Sequence, residues 1–497
     1  MNNITKAVSP EIALQSWLRP ALTPVGPNKD YAQFRDQLDA VDKLLRSSHL
    51  ESMALDFARV GYESAAAAPL RRRMEFGLKA LRLEALRMLL VSMSLREISR
   101  TIASSDLLAD FCGVRAIEGI KGVSKSELER ASKCFTAEQV RWMGQVFIEM
   151  VAEADRSAEL GLVKPQPMET CLVDSTCLPT NIHFPVDWVL LRDASRTLLK
   201  AVILIRRTGL RARMPSEPAV FARQMNRWCI QMTHTRRRSD AKRMRKQVLR
   251  KMKRLLRAIG EHARRHRDRL AKEYASTKYG ARQAKRIVER IDAMLTQMPT
   301  AIKQAHERII GERAVPSAQK ILSVYESDVQ VLVRGKASGE IEFGHTLMIS
   351  ENTSGLITDW QLYQQAAPAE WRQLVESLKR QNQFDASTPI TATATDRGFA
   401  TKRMSQILDK AGVFDATCPR DPQALKQCMA EPKFAGLQRR RASTEARIAI
   451  LKQPQGKRLR AKGFKNRYLV VAWSVLGHNL WLIARLIVDQ PAQARAA

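Results

Sequence analysis

The chain has 497 residues, 45% of them hydrophobic, which is enough for more than one packed core and too apolar for a disordered basic tail. Its 83 Lys and Arg against 50 Asp and Glu leave a formal charge of +33, so a polyanion is the expected partner, with nucleic acid ahead of a membrane surface. Seven cysteines without a CxxC pair argue against a disulfide framework or a zinc ribbon, and the start carries no signal-peptide pattern, so a reduced, cytoplasmic protein is expected.

Residues 1–165 are expected to form an all-α N-terminal domain. From Leu70 the apolar positions Met74, Leu78, Leu81, Ala85 and Met88 recur at helical spacing. Ser94-Leu-Arg-Glu97, Ser124-Lys-Ser-Glu127 and Thr136-Ala-Glu-Gln139 are capping-box patterns, and Gly113 is a candidate C-cap. With Arg96, Arg100, Lys121, Lys125 and Arg130 along them, the short helices within 90–135 suit a helix-turn-helix-like DNA reader. A plain helical bundle explains the same spacing.

Lys164-Pro-Gln-Pro167 breaks the helical pattern, and a strand follows to about Leu178, stopped by Pro179. Asp174 stands inside that strand behind Leu172 and Val173. A carboxylate in an apolar strand is costly to bury unless a cation meets it. Cys171 and Cys177 are expected to fill buried strand positions. In the loop Asn181–Trp188, Asp187 is expected to cap a helix starting near Val189, with a supporting role at a metal as the alternative, and His183 is expected at the surface.

Residues 200–315 read as a basic helical insertion. Arg236–Arg269 holds sixteen Lys or Arg against three acids, and phosphates are the expected counter-charge. Arg243, Lys246, Arg250, Lys253 and Arg254 are the candidate DNA contacts there. Strands are then expected over Val329–Val333, Ile341–Ile349 and Gly355–Trp360, with a turn around Gly335 to Gly339. A helix from about Ala369 to Gln381 comes next, then a strand over Pro389–Thr395 delivering Asp396, a helix over Lys402–Ala411 and a strand over Val413–Cys418. Glu445 sits in a helical stretch over Arg439–Ile448. Tyr468–Val488 is apolar but contains His478, Asn479 and Arg485, so it reads as a buried helix and not a membrane span. This order predicts an α/β catalytic domain over 166–199 and 316–490, a mixed sheet flanked by helices.

Asp174, Asp396 and Glu445 are three acids at defined places: one in an apolar strand, one at a strand end before a turn glycine, one on a basic helix. Such carboxylates suit Mg²⁺, with Mn²⁺ as a substitute, in phosphodiester chemistry. Arg441 and Glu445 could instead be an ordinary i, i+4 ion pair, and Glu431 is a rival third acid.

Asp174-Ser-Thr, Asn181–Asp187, Phe343-Gly-His345, Thr395-Asp-Arg-Gly-Phe399 and the helix carrying Arg441, Glu445 and Lys452 resemble the DDE transposases of bacterial insertion sequences. That family's third block has Tyr, two residues, Arg, three residues, Glu, six residues, Lys or Arg; here Gln438 stands at the Tyr position. The resemblance implies an RNase H-like core with Asp174, Asp396 and Glu445 as metal ligands, and Arg441, Lys452 and Arg397 as DNA contacts. It further implies binding of the element's inverted-repeat ends, strand cleavage and strand transfer to target DNA, a homodimer in the active complex, and a nucleoid-associated location. The rival expectations are an RNase H-like endonuclease without strand transfer and a non-catalytic DNA-binding relative.

Overall fold

The structure, a computed structural model, describes residues 22–61, 66–90, 93–116, 119–120, 122–235, 240–336, 339–384, 389–452 and 459–490. Lys121, Arg236, Arg237, Arg238 and the middle of the turn expected at Gly335–Gly339 lie outside the described residues.

The elements run α1 (Lys29–Ser47), α2 (Leu50–Arg59), α3 (Ala67–Arg87), α4 (Leu95–Ala103), α5 (Asp106–Cys112), the hairpin β1 (Arg115–Ala116) and β2 (Gly119–Ile120), α6 (Lys125–Ala131), α7 (Ala137–Ala152) and α8 (Ala154–Glu159). Next come β3 (Thr170–Pro179), α9 (Asp187–Arg206), α10 (Pro218–His234), α11 (Ala241–Glu273) and α12 (Ala281–Ala305), which runs into a π-helical turn over His306–Ile310. Then follow β4 (Gln330–Lys336), β5 (Gly339–Glu351), β6 (Ile357–Leu362), α13 (Glu370–Phe384), β7 (Ala392–Ala394), α14 (Lys402–Lys410), β8 (Phe414–Asp415), α15 (Pro422–Cys428), α16 (Pro432–Ala442), α17 (Thr444–Lys452) and α18 (Phe464–Asp489). The six-stranded mixed sheet has the order β4-β5-β3-β7-β8, with β6 also paired to β5.

Local chemistry accounts for many of the boundaries. The capping boxes at Ser94/Glu97 and Thr136/Gln139 form in both directions, closing two orphan N–H groups at each helix start. At Ser124 only half of the box forms, because the Glu127 carboxylate accepts from Lys79 Nζ at 3.2 Å. Gly113 ends α5 with a left-handed φ of 63°, the conformation that favours glycine. The helical stretch expected over Arg439–Ile448 is interrupted at Ser443, which separates α16 from α17.

Two compact units emerge: residues 1–178 with 346–497, and residues 179–345. In the first, the helices of the N-terminal 165 residues share one core with β5, β6 and α18, through residues such as Leu81, Phe111, Phe147, Ile349, Trp360, Leu476 and Ile483. Among the described residues α18 is the one helix long and apolar enough to cross a membrane, and 72% of its apolar window is buried in the protein, as in the core helix of a soluble fold. Its Asn479 side chain accepts from Ile357 N and donates to Ile357 O, both at 2.9 Å, so it pairs with β6 as a strand would. The sheet is covered on both faces. Cys171 and Val173 of β3 pack on α13 and α14 through Leu374, Leu378, Met404 and Leu408. Leu172 and Ala394 face Phe434 and Leu437 of α16.

The second unit is built on α9, whose Leu191, Leu198, Val202 and Ile205 are buried against α10, α11 and α12. Asp187 does not cap α9 as expected. It is buried in the first turn and accepts from Arg308 Nη1 at 3.0 and 2.9 Å and from Gln304 Nε2 at 2.9 Å. The acid therefore fastens the helix start to the end of α12 and the π-helical turn.

Candidate active site

Alternation along β3 decides what Asp174 can do. Cys171, Val173, Ser175 and Cys177 point to one face, Leu172, Asp174 and Thr176 to the other. The strand is buried throughout its middle except at Asp174, which is half-buried. Asp174 Oδ1 accepts from Ser175 N at 2.6 Å. Both cysteines are fully buried, as expected, and burial pushes the Cys171 thiol up to about 11.

β7 lies beside β3 and parallel to it, with Thr170 opposite Ala392, Cys171 opposite Thr393 and Leu172 opposite Ala394. The same offset carried two residues on sets Asp396 opposite Asp174. Asp396 follows the strand in a turn where its Oδ1 accepts from Gly398 N at 3.0 Å, and it too is half-buried. The expected strand over Pro389–Thr395 is shorter than anticipated, but its end falls where the aspartate requires. Asp174, in the middle of β3, and Asp396, two residues beyond the end of β7, thus lie on neighbouring parallel strands.

Glu445 is not brought into contact with them. It is exposed near the start of α17, and among the described residues it makes no hydrogen bond or ion pair. The alternative pairing with Arg441 does not form either: Arg441 Nε donates to Gln438 Oε1 at 3.1 Å, and Ser443 separates the two helices. Lys452, seven residues after Glu445 and hence on the same helix face about 10 Å along, donates to Thr176 Oγ1 at 2.8 Å. Thr176 shares its face of β3 with Asp174, so the Glu445 side of α17 is turned to the side of the sheet that bears Asp174. Among the described residues no three His, Cys, Asp or Glu side chains gather closely enough to hold a metal ion.

Two carboxylates nevertheless suit a hard divalent cation. Mg²⁺ keeps several waters and is commonly held by one or two acids plus substrate phosphates. Asp174 and Asp396 are half-buried oxygen donors, one on β3 and one just beyond the paired end of the adjacent β7, which fits that donor set.

Further residues frame this site. Glu351, at the end of β5, is fully buried; it meets Arg440 Nη1 at 3.2 Å, Arg447 Nε at 3.3 Å and the Thr444 hydroxyl at 2.7 Å. This cluster pins the α16–α17 junction to the sheet. The argument applied to Asp174, an acid in an apolar strand, would have found it. Gln438, in the family's Tyr position, donates through Nε2 to Thr395 O at 3.0 Å and to Ala416 O, tying α16 to the ends of β7 and β8 beside Asp396. Glu370, the first residue of α13, accepts from Ser175 Oγ at 3.2 Å. Arg397 is exposed next to Asp396.

In the second unit the basic run forms the 33-residue α11. Arg243, Arg250 and Arg254 are exposed, and Arg257 and Arg264 extend the same face, a stripe of about 30 Å at 1.5 Å per residue. Lys246 and Lys253 are half-buried at its edge. Lys246 pairs with Glu312 at 2.7 Å, and Lys253 Nζ lies 2.8 Å from His306 Nδ1. Burial, and after it the charges of Arg257 and Arg250, hold the Lys253 amine below its ordinary pKa. Lys253, Arg257, Lys303 and His306 line a groove of about 470 Å³.

Comparison with family models, with curated proteins and with solved structures finds no match to this chain.

Proposed function

We propose that this chain is a DDE-type transposase, an enzyme that cuts DNA at the ends of a mobile element and joins them to target DNA. The observation that carries this reading is the parallel pairing of β3 with β7, whose register, continued two residues past its last pair Leu172–Ala394, brings Asp396 level with Asp174. An RNase H-like core is supported by β3 in the centre of the sheet, hairpin-joined β5 and β6 to one side, crossover-joined β7 and β8 to the other, and helices on both faces.

In this reading Asp174 and Asp396 hold a divalent cation, Mg²⁺ or Mn²⁺, which would activate the attacking oxygen and stabilise charge on the leaving one. Glu445 enters from α17 as the third carboxylate, and Arg441, Lys452 and Arg397 lie beside the DNA strand. Lys452 already reaches Thr176 on the Asp174 side of β3. The arginine face of α11 binds phosphates by counterion release, and the helices within 90–135 read the element end. Pairing two ends calls for a homodimer, working on the nucleoid in the bacterial cytoplasm.

The test is Mg²⁺-dependent nicking and joining of labelled element-end DNA by wild type, Asp174→Ala, Asp396→Ala and Glu445→Ala. Loss of several kcal/mol of charge stabilisation at 1.36 kcal/mol per decade predicts a drop of at least about a thousandfold in each variant, with DNA binding retained. Cut but unjoined DNA would assign an endonuclease. Tight binding without cutting in Mg²⁺ or Mn²⁺ would leave a binding protein, and an active Glu445→Ala would move the third ligand elsewhere, with Glu431 next to be tested.

A further inference from the structure

Both aspartates are shaped by the residues that follow them, and one side chain touches both followers. Ser175 donates its N–H to Asp174 Oδ1 at 2.6 Å and its hydroxyl to Glu370 Oε1 at 3.2 Å. Gly398 donates its N–H to Asp396 Oδ1 at 3.0 Å, and the other Glu370 oxygen stands where a Cβ of residue 398 would be. A Cβ at position 398 would stand 2.2 Å from Glu370 Oε2 and 3.1 Å from Asp396 Oδ1. A side chain at 398 would therefore displace the Glu370 carboxylate from this place.

Glu370 does not reach this place on a loose tether. It opens α13, whose Leu374 and Leu378 are buried on the sheet. Gln381, three turns on, donates to Cys171 Sγ at 3.4 Å and to Ser350 Oγ at 3.1 Å. Ser377 and Arg380 bind Asp359 of β6 at 2.7 Å each. The helix is therefore fastened to the sheet, with its first residue against Ser175 of β3, next to Asp174. A group held by a rigid element keeps its neighbours within the fraction of an ångström that metal and phosphoryl chemistry needs.

We infer that Glu370 is a positioning residue that sets the separation and orientation of Asp174 and Asp396 through Ser175 and Gly398. This rests on the reading of the two aspartates as the site of a divalent cation, and adds to it a supporting carboxylate outside the expected triad. Groups that orient metal ligands from behind are worth about ten- to a hundredfold in metal affinity or activity.

The experiment is a Mn²⁺ titration of the full-length protein followed by electron paramagnetic resonance, run beside the DNA-cleavage assay. The proteins are wild type, Glu370→Ala, Glu370→Gln, Gly398→Ala and the Glu370→Ala/Gly398→Ala double variant, each checked for folding by circular dichroism. Glu370→Ala and Gly398→Ala are each expected to weaken Mn²⁺ binding by about tenfold or more and to lower cleavage with DNA affinity unchanged. The double variant is expected to match the singles, because residues acting through one contact are not additive. Glu370→Gln keeps an oxygen that accepts from Ser175 and should stay close to wild type. Glu370→Gln as weak as Glu370→Ala would overturn the positioning role in favour of charge alone. Additive losses in the double variant, or Glu370→Ala binding Mn²⁺ like wild type, would overturn the inference alone. Wild type that takes up no Mn²⁺ would overturn the reading of the site, and this inference with it.

Discussion

The two units differ in how much of their charge they display. In the sheet-bearing unit, charges are turned inward and matched. Arg82 is fully buried with Glu51, which accepts from its Nε at 2.8 Å, and with Asp42. Asp359 is buried between Arg141 at 3.1 Å and Arg380 at 2.7 Å. Glu351 sits in the same manner among Arg440, Arg447 and Thr444. In the helical unit, α11 buries Leu249, Leu256 and Ile259 and turns Arg243, Arg250, Arg254 and Arg257 to solvent. Paired interior charges fix the course of the chain. An exposed single-sign stripe does nothing for the fold and leaves an electrostatic field for a partner.

That contrast is easiest to break at Glu351. Glu351→Ala strands Arg440 and Arg447 beside a cavity, and breaking a buried pair by removing one partner costs about 3–5 kcal/mol. Urea unfolding is expected to show that loss, and cleavage should fall with it because α17 loses its anchor. Arg254→Ala in the other unit should change stability by less than about 0.5 kcal/mol. Equal losses at the two positions would erase the distinction between fastening and displayed charge.

The next effect lies in the core shared by α18 and β6. Burial pushes the His478 imidazole down from 6.5 to about 4, against a hydrogen bond to Gly355 O at 3.1 Å. Its folded pKa lies below the unfolded one, so the stability is complete above pH 6.5. It is lost as pH falls towards 4, because the unfolded chain takes the proton first. At 1.36 kcal/mol per pH unit the full window is worth about 3 kcal/mol. Unfolding free energies at pH 7, 5.5 and 4 should fall accordingly, and His478→Gln should fall less steeply; parallel curves would show that His478 is not the group responsible.

The smallest effect sharpens the comparison from the side of α11. Replacing Arg250, Arg254 and Arg257 together by Ala should lower the salt dependence of DNA binding by about one unit of slope per arginine, with the melting temperature unchanged. An unchanged slope would mean that this face does not meet phosphate.

Much of this was legible in local pattern, and the failures share one cause. Asp174 stood out because an acid in an apolar strand is costly, and Asp396 because a turn glycine followed a β-rich run. Capping boxes marked α4 and α7 because their partners are three residues apart. The alternative pairing of Arg441 with Glu445 and the expected cap at Asp187 did not form, because each side chain found a partner elsewhere: Arg441 took Gln438, and Asp187 took Arg308 and Gln304. Glu370 escaped notice for the same reason, since its partner Ser175 lies 195 positions away, whereas Glu351 carries the same local signal as Asp174, an acid in an apolar strand.

The sequence by itself determined the cationic surplus, the division into helical and β-rich stretches, and the place of Asp174 within a strand and of Asp396 after one, because these depend on composition and short-range periodicity. Only the tertiary structure decided that β3 and β7 are parallel neighbours, that α17 is anchored through Glu351, and that Glu370 reaches both aspartate turns. Strand order and buried ion pairs arise from packing between segments far apart in the chain, where no local spacing records which partner will be met.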